Sequence, residues 1–212
     1  MKTELILMRH GQTDWNKTGR LQGRTDIPLN ETGRAQARAA GQKLSGIPFD
    51  VIYASPLRRA VETACLAAGA AANAVRTDER LIEISFGVLE GTDERQFDPQ
   101  FFLAPQSYVP PRGGEGFPAV CDRTQAFLRE ILTRHRGQRL LVVSHGAALA
   151  CLLLRATGGT LAHLWDDFNM ANCATVTVAD DGAGPYIARP LSAAEADALR
   201  PAYVGSPQAE RG

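Results

Sequence analysis

The stretch that decides the predicted fold is RLLVVSHGAALACLLLR, residues 139–155. Its first six residues form an apolar run of the kind that suits the central strand of a parallel sheet. Residues 146–155 follow directly as a predicted helix. Because a strand that runs into a helix is the repeating unit of α/β proteins, this stretch predicts an α/β fold.

The same alternation of strand and helix continues on both sides of this stretch. Short apolar segments predict further strands at 3–8, 49–54, 74–76, 174–179 and 185–188. Helical spacing and capping residues predict helices at 31–44, 55–71 and 119–135, with irregular chain at 11–30 and 83–118. These elements predict a three-layer α/β sandwich, in which a mostly parallel central sheet has helices on both faces.

One of these helices has a distinct start signal in Ser55 and Pro56. Ser is a favoured N-cap residue, and Pro is tolerated at the first helical position. We therefore expect this helix to begin directly after the strand at 49–54.

The length of 212 residues is ample to bury a core, and we expect one domain at 1–200. Within it, residues 92–118 are expected to form a lid-like excursion. The polar end at 201–212, which contains Pro and Gly, is expected to be a flexible tail. A hairpin near 174–188 could leave an exposed edge strand. Two copies of the chain could pair along such an edge, so a homodimer stays among the alternatives.

Composition excludes several classes of function. The formal net charge is +0, with 44% hydrophobic and 22% charged residues, so we expect neither a nucleic acid nor a membrane as partner. The apolar runs at 5–8 and 147–154 are too short to cross a bilayer, and we expect a soluble cytoplasmic protein. The four cysteines lie at no zinc-binding or C-x-x-C spacing, so we expect no metal and no cofactor.

The ends of three predicted strands carry the candidate chemistry. His10 follows the first strand within Arg9-His10-Gly11, Arg58 follows the second, and His145 follows the strand at 139–144. Ligands of parallel sheets bind where the carboxyl ends of the strands meet, so two histidines and two arginines are expected at one edge. This set of residues suits a phosphate.

Each of these groups has a chemical reason to be there. Arginine stays charged and binds two phosphate oxygens through its planar fork, so Arg9 and Arg58 would neutralise a phosphate monoester. A neutral His10 could then attack phosphorus and form a phosphohistidine. A protonated His145 could donate a hydrogen bond to a phosphate oxygen.

Small residues beside these groups are expected to serve the same anion. Gly146 and Ala147 begin the predicted helix at 146–155, so their N–H groups could point at the phosphate. Gly11 carries no side chain, and any larger residue there could crowd the substrate.

Each candidate also has a plain structural explanation. A lone His after a strand is usually packed or exposed, and Arg58 with Arg59 could form a solvated helix face. Two of the four histidines, however, lie just past apolar strands and directly before Gly, which favours the joint functional interpretation. The other two, His135 and His163, are interpreted as structural or surface residues.

Five ordered blocks of the sequence resemble the histidine phosphatase superfamily, in its phosphoglycerate-mutase-like branch. The blocks cover most of residues 4–178 and are together far more specific than Arg-His-Gly alone. They are LMRHGQTDWN (7–16), GRLQGRTDIPL (19–29), SPLRRA (55–60) with ETA (62–64), LIEISFG (81–87) with LEG (89–91), and VVSHG (142–146). Gln12 departs from the pattern, because many relatives carry Glu at that position.

This resemblance implies a role for each matching residue. His10 would be the phosphorylated nucleophile, and Glu83 would be the proton donor to the leaving oxygen and then the base for water. The pocket residues that it implies are Arg9, Arg58 and His145, with Asn16, Gln22 and Gly23 lining the pocket. Without the resemblance, Glu83 would be interpreted as a surface carboxylate.

The same machinery could belong to a phosphatase or to a mutase. A mutase must keep water from the phosphohistidine, and a bisphosphorylated intermediate calls for several basic groups. The lid at 92–118 is short and aromatic, and its only basic residues are Arg95 and Arg112. Residues 111–115, PRGGE, also resemble a segment of the broad-specificity and cobalamin-pathway phosphatases. We therefore predict a metal-independent phosphomonoesterase that hydrolyses a small phosphorylated metabolite.

Several alternatives stay open. A phosphoglycerate mutase primed by a bisphosphoglycerate would use the same groups, and a non-catalytic phospho-ligand binder would keep the same pocket. The lid aromatics either contact the substrate or pack the lid onto the body. Sugar phosphates, glycerate phosphates, nucleotide-pathway intermediates and ribazole phosphate all remain candidate substrates.

Overall fold

The computed structural model describes residues 1–165 and 170–189 of the chain, and its centre is one six-stranded sheet. The strand order is β3-β2-β4-β1-β5-β6. The strands are β1 Thr3–Arg9, β2 Val51–Ala54, β3 Val75–Thr77, β4 Arg139–Ser144, β5 Thr175–Asp180 and β6 Pro185–Arg189. All six predicted strands are therefore present, whereas the predicted tail at 201–212 lies outside the described residues.

The helices alternate with these strands along the chain. They are α1 Asp14–Lys17, α2 Glu31–Lys43, α3 Arg58–Ala68, α4 Gln100–Leu103, α5 Phe117–Arg134 and α6 Gly146–Thr157. Short 3-10 turns lie at Ala72–Ala74, Glu79–Leu81, Gly87–Leu89, Glu94–Gln96, Pro105–Ser107 and Leu161–His163. Helix α1 corrects the prediction of loop throughout 11–30, since Thr13 and Asn16 form a capping box that closes one helical turn.

The sheet is parallel in its centre and antiparallel at one side. β1 lies between β4, which runs parallel to it, and β5, which runs antiparallel. β2 pairs in parallel with both β3 and β4, and β5 forms the predicted hairpin with β6. The mostly parallel sheet is thus a mixed sheet, and its parallel part brings the carboxyl ends of β1, β2 and β4 to one edge.

Helices cover both faces of the sheet, as predicted. Leu5 and Leu7 of β1 belong to a core that also contains α5 and α6. Ile6 and Met8, which alternate with them, belong to a second core with α2 and α3. Because both faces are buried, the central strands consist of continuous apolar residues rather than an alternating pattern.

Helix α3 begins two residues later than its start signal predicts. Its N-cap is Leu57, which makes no side-chain capping bond, and its first residue is Arg58. Ser55 is fully buried, and its Oγ lies 2.7 Å from Nε2 of His145. The serine hydroxyl therefore contacts the histidine and does not cap the helix, so the prediction of this helix start is wrong.

The lid at 92–118 packs its aromatic side chains into the larger core. Phe97, Phe101, Tyr108 and Phe117 are each no more than 7% exposed. Their ring centroids lie between 4.7 and 5.7 Å apart in the contacting pairs. This geometry favours the packing interpretation of these aromatics over substrate contact.

Three features are absent from residues 1–165 and 170–189. No helix there is long and apolar enough to cross a membrane. No group of His, Cys, Asp and Glu side chains there is arranged to hold a metal ion. The cysteines at 65, 121, 151 and 173 form no disulfide with one another.

Candidate active site

The register of the sheet brings the two candidate histidines together. Arg9 pairs with Ser144 in the ladder between β1 and β4, so the next residues, His10 and His145, leave the sheet side by side. Their ring centroids lie 5.0 Å apart. His10 is 3% exposed and His145 is fully buried, so the predicted convergence of the two strand ends is present.

His10 is held in the form that a nucleophile requires. Its Nδ1 lies 2.7 Å from the carbonyl oxygen of Gly11, which can only accept, so Nδ1 carries the proton. Burial, followed by the charges of Arg59 and Arg9, lowers the pKa of His10 well below 6.5. The ring is therefore neutral at neutral pH, and Nε2 keeps a lone pair that could attack phosphorus.

His145 is also neutral, which corrects the expectation of a protonated donor. Nε of Arg59 donates to its Nδ1 at 3.3 Å, so that nitrogen carries no proton. Its Nε2 must then carry the proton and donates to Oγ of Ser55 at 2.7 Å. Burial, followed by the charge of Arg59, lowers the pKa of His145 well below 6.5.

Of the two adjacent arginines, Arg59 lies beside the histidines, and the prediction of Arg58 at this place is wrong. Arg59 is fully buried, and its two Nη atoms donate to the carbonyls of Gly23 at 2.7 Å and Thr25 at 2.8 Å. The side chain of Arg58 is 66% exposed and pairs with Asp26 at 2.9 Å. Successive residues of a helix point about 100° apart, so only one of two adjacent arginines can face the sheet edge.

Arg9 offers a hydrogen-bond donor to the site. Its Nη1 donates to the carbonyl oxygen of Met170 at 2.6 Å, which fixes the guanidinium. Its Nε is buried and has no hydrogen-bond partner among the described residues. Buried polar atoms almost always have partners, so an open cationic donor beside two histidines indicates an anion site.

Glu83 lies at the N-terminus of α6, where the phosphate was expected to bind. Its Oε1 accepts from the backbone N–H of Ala148 at 3.1 Å and of Ile84 at 2.9 Å. Its Oε2 accepts from Ala147 at 3.4 Å. Of the two N–H groups expected to bind the phosphate, that of Ala147 therefore holds the carboxylate instead, because a helix N-terminus favours a nearby anion.

Gly146 lies between two of the charged groups. A methyl group placed there would lie 3.8 Å from Cζ of Arg9 and 3.8 Å from Oε2 of Glu83. Arg9 and Glu83 therefore flank the same point at the start of α6, which brings the proposed acid next to the proposed phosphate-binding cation.

The expected lining residues lie in α1 and in the loop that follows it, beside Arg59. Thr13 joins two of them, since its N–H donates to Oδ1 of Asn16 at 3.2 Å and its Oγ1 donates to Oε1 of Gln22 at 2.9 Å. Gly23 contributes its carbonyl to Arg59. Asn16 and Gln22 thus shape the loop, while Gly23 contacts the site directly.

The carboxylate of Glu90 fixes the backbone of this loop. It accepts from the backbone N–H of Arg24 at 3.0 Å and of Thr25 at 2.8 Å, and from that of Phe86 at 3.2 Å. Gly23 has φ +51 and leaves no space for a methyl group beside Glu90. The carbonyls that hold Arg59 therefore depend on Glu90.

Sequence reasoning missed the residues that brace the backbone of His10. Oγ1 of Thr63 accepts from the N–H of Gly11 at 3.0 Å. Nδ2 of Asn172 donates to the carbonyl of His10 at 2.9 Å, although the two residues are 162 positions apart. Thr63 lies within a quoted block, whereas no sequence pattern marked Asn172.

The reason for glycine at position 11 also differs from the expectation. A methyl group on Gly11 would lie 2.5 Å from the carbonyl oxygen of Gly33 in α2. Glycine is therefore required there by the close approach of two backbones, and not by the space that a substrate needs.

Comparison with known proteins places this chain in a family. The family model described as histidine phosphatase superfamily (branch 1) matches residues 5–190. Phosphoserine phosphatase 1 of Hydrogenobacter thermophilus is 35% identical over 168 residues, which are 76% of this chain and 80% of that protein. The 2,3-bisphosphoglycerate-dependent phosphoglycerate mutase of Methylobacterium sp. (strain 4-46) is 39% identical over 173 residues, 76% of this chain and 83% of that protein.

The fold is also similar to a solved structure with a bound phosphoester. This is a histidine-to-alanine variant of phosphoserine phosphatase from Entamoeba histolytica in complex with phosphoserine. The TM-score is 0.79 at 30% sequence identity, and the match covers 89% of this chain and 96% of that chain.

Proposed function

This chain belongs to the histidine phosphatase superfamily (branch 1), and we propose that it hydrolyses a small phosphomonoester through a phosphohistidine on His10. Its relatives include phosphoserine phosphatase 1 of Hydrogenobacter thermophilus and a metal-independent phosphoserine phosphatase of Arabidopsis thaliana, which supports a hydrolase. The observation that carries the assignment of His10 is its neutral, buried imidazole, whose Nε2 is free to attack beside the guanidinium groups of Arg9 and Arg59.

The reaction proceeds in two steps: His10 first receives the phosphoryl group and then passes it to water. The phosphate dianion binds against Arg9 and Arg59, which offset its charge. Nε2 of His10 bonds to phosphorus as the bond to the ester oxygen breaks, and Glu83 gives its proton to that oxygen. Glu83 then takes a proton from water, which attacks phosphorus, breaks the bond to Nε2 and releases phosphate.

His145 supports this chemistry as a neutral residue. It stands beside His10 and accepts from Arg59, so it fixes the guanidinium that faces the phosphate. Its one N–H, at Nε2, donates to Oγ of Ser55, which fixes the orientation of the ring toward Arg59.

The lid supports hydrolysis over mutase activity. Of its two basic residues, Arg95 is 84% exposed and pairs with Asp93, and Arg112 is exposed. Neither provides the buried cation that a second phosphate would need. The similarity to a phosphoglycerate mutase nevertheless makes that activity the second candidate.

A phosphoester panel tests the proposal. Purified enzyme should release phosphate from at least one small phosphomonoester in the presence of EDTA, and His10→Ala should reduce this rate by at least about 10³-fold. The control is His163→Gln, because His163 is exposed in a 3-10 turn and should leave the rate unchanged.

Two outcomes would contradict the proposal. Phosphate release that survives in His10→Ala would remove the nucleophile. Interconversion of phosphoglycerates that depends on a bisphosphoglycerate primer and exceeds hydrolysis would assign the enzyme to the mutases.

A further inference from the structure

The segment that carries Glu83 lies outside helices and strands, and side chains from elsewhere hold its backbone. Residues 82–85 follow the turn Glu79–Leu81 and precede the turn Gly87–Leu89. Carbonyl groups in such a segment have no ladder or helix partner, so each needs another donor. The positions of these donors therefore decide where the carboxylate of Glu83 lies.

Arg123 of α5 supplies the first of these donors. Its Nη1 donates to the carbonyl oxygen of Ile82 at 2.6 Å and to that of Arg80 at 2.8 Å. The contact with Ile82 is directly beside Glu83 in the chain. Arg123 thus ties the proton-donor segment to the longest helix of the described chain.

Arg24 supplies the second donor from the opposite side. Its Nε donates to the carbonyl oxygen of Glu83 at 3.4 Å. Arg24 belongs to the loop whose carbonyls, at Gly23 and Thr25, hold the buried Arg59. It therefore links the proton-donor segment to the phosphate-binding arginine.

Glu115 joins these two arginines. Its carboxylate binds Arg123 through two bonds of 3.0 Å and binds Nη2 of Arg24 at 3.1 Å. Its own N–H donates to the carbonyl of Ser85 at 2.9 Å. The side chains of Glu115 and Arg123 are only 14% and 15% exposed, so water competes little for this ion pair.

We propose that Glu115 is a positioning residue for the proton donor. It fixes Arg24 and Arg123, and these hold the backbone on both sides of Glu83. This inference rests on the proposed role of Glu83 as the acid. It also gives a function to the Gly113-Gly114-Glu115 segment, which sequence comparison marks without a role.

The test uses leaving groups that differ in their need for a proton. An alkyl phosphate leaves as a poor alkoxide unless it is protonated, whereas p-nitrophenolate leaves without help. Because kcat/KM reports the transfer to His10, Glu115→Gln should lower it up to about 10²-fold for the alkyl phosphate. For p-nitrophenyl phosphate the loss should stay below about threefold, because binding and nucleophile are intact.

Three comparisons make the test specific. Glu83→Gln should show the same selective loss, and the double variant Glu83→Gln with Glu115→Gln should lose no more than Glu83→Gln alone. Arg24→Gln, at a half-exposed site, should show a smaller loss of the same kind. Glu4→Gln breaks an ion pair with Arg139 at the amino end of β1 and should leave both substrates unaffected.

The outcomes separate this inference from the proposed function. Equal losses on both substrates in Glu115→Gln, or no loss on either, would overturn the positioning role while leaving Glu83 as the acid. Equal losses on both substrates in Glu83→Gln would overturn the proton-donor assignment and the positioning inference with it. A selective loss in both variants supports both.

Discussion

His10 is neutral because of the residues that surround it. Burial disfavours a protonated ring there, and such a ring would also add a third positive charge beside Arg59 and Arg9. The same two cations favour a phosphate dianion. One arrangement thus both removes the proton from the nucleophile and attracts its target, so the reactive form exists before the substrate binds.

This arrangement predicts a pH dependence of stability. His10 and His145 have pKa values well below 6.5 when folded, whereas an unfolded histidine has a value near 6.5. Between the folded and unfolded pKa values the unfolded chain binds more protons than the folded chain. The free energy of unfolding therefore rises with pH in this range, and it decreases as the pH falls below 6.5. Urea denaturation on both sides of 6.5 measures this.

Two variants distinguish the contribution of His10 to this pH dependence from other effects of acid on stability. In His10→Asn the loss of stability below 6.5 should be smaller than in the wild type. In His163→Gln, which changes an exposed histidine, the loss should be unchanged. An identical dependence in all three proteins would contradict the neutral state of His10.

The two adjacent arginines allow a direct test of the phosphate site. Arg59→Lys keeps the charge but loses the fork that reaches His145, Gly23 and Thr25, so kcat/KM should fall by about 10²–10³-fold. Arg58→Lys changes an exposed ion pair with Asp26 and should cost less than about threefold. A larger loss in Arg58→Lys would restore the prediction from sequence.

At the scale of elements, the end of β1 is braced against the start of α2. A methyl group on Gly11 would meet the backbone of Gly33, and one on Gly33 would meet the backbone of Gln12, so neither position has space for a side chain. The N–H of Gly11 is held at the same time by Thr63 of α3. The position of His10 therefore depends on two helices as well as on its own strand.

This close approach predicts the result of a glycine substitution. Gly11→Ala should lower the free energy of unfolding by about 1–3 kcal/mol, because the new methyl group must displace α2. Gly116→Ala is the control, since a methyl group there meets its nearest atom at 3.7 Å and should change stability by less than about 0.5 kcal/mol. Equal free energies of unfolding for Gly11→Ala and Gly116→Ala in chemical denaturation would contradict the steric argument.

Sequence patterns located the strands better than the helix starts. β1 and β4 are buried on both faces, so their apolar runs are unambiguous. The predicted start of α3 is wrong because the hydroxyl of Ser55 binds Nε2 of His145 and does not cap the helix. No local sequence pattern reveals that contact. Whether Arg58 or Arg59 faces the site depends on how α3 is rotated about its axis. Two adjacent arginines in the sequence do not indicate that rotation.

At the scale of the whole molecule, the site combines segments that are far apart in the chain. The strand-end rule was sufficient to predict that His10 and His145 meet, because parallel strands end at one edge. It could not predict Met170 or Asn172, which come from the connection before β5 and brace Arg9 and His10. Glu83 was found only through the family pattern, because its segment has no periodicity.

The central claim is that His10 carries the phosphoryl group between substrate and water. The most direct measurement mixes the wild-type enzyme with a phosphoester that is radiolabelled in its phosphate, quenches the reaction rapidly in alkali and maps the label to a peptide. We predict acid-labile label on His10, and none in His10→Ala. Label on another residue, or turnover by the wild type with no label on His10 at any time, would contradict the account.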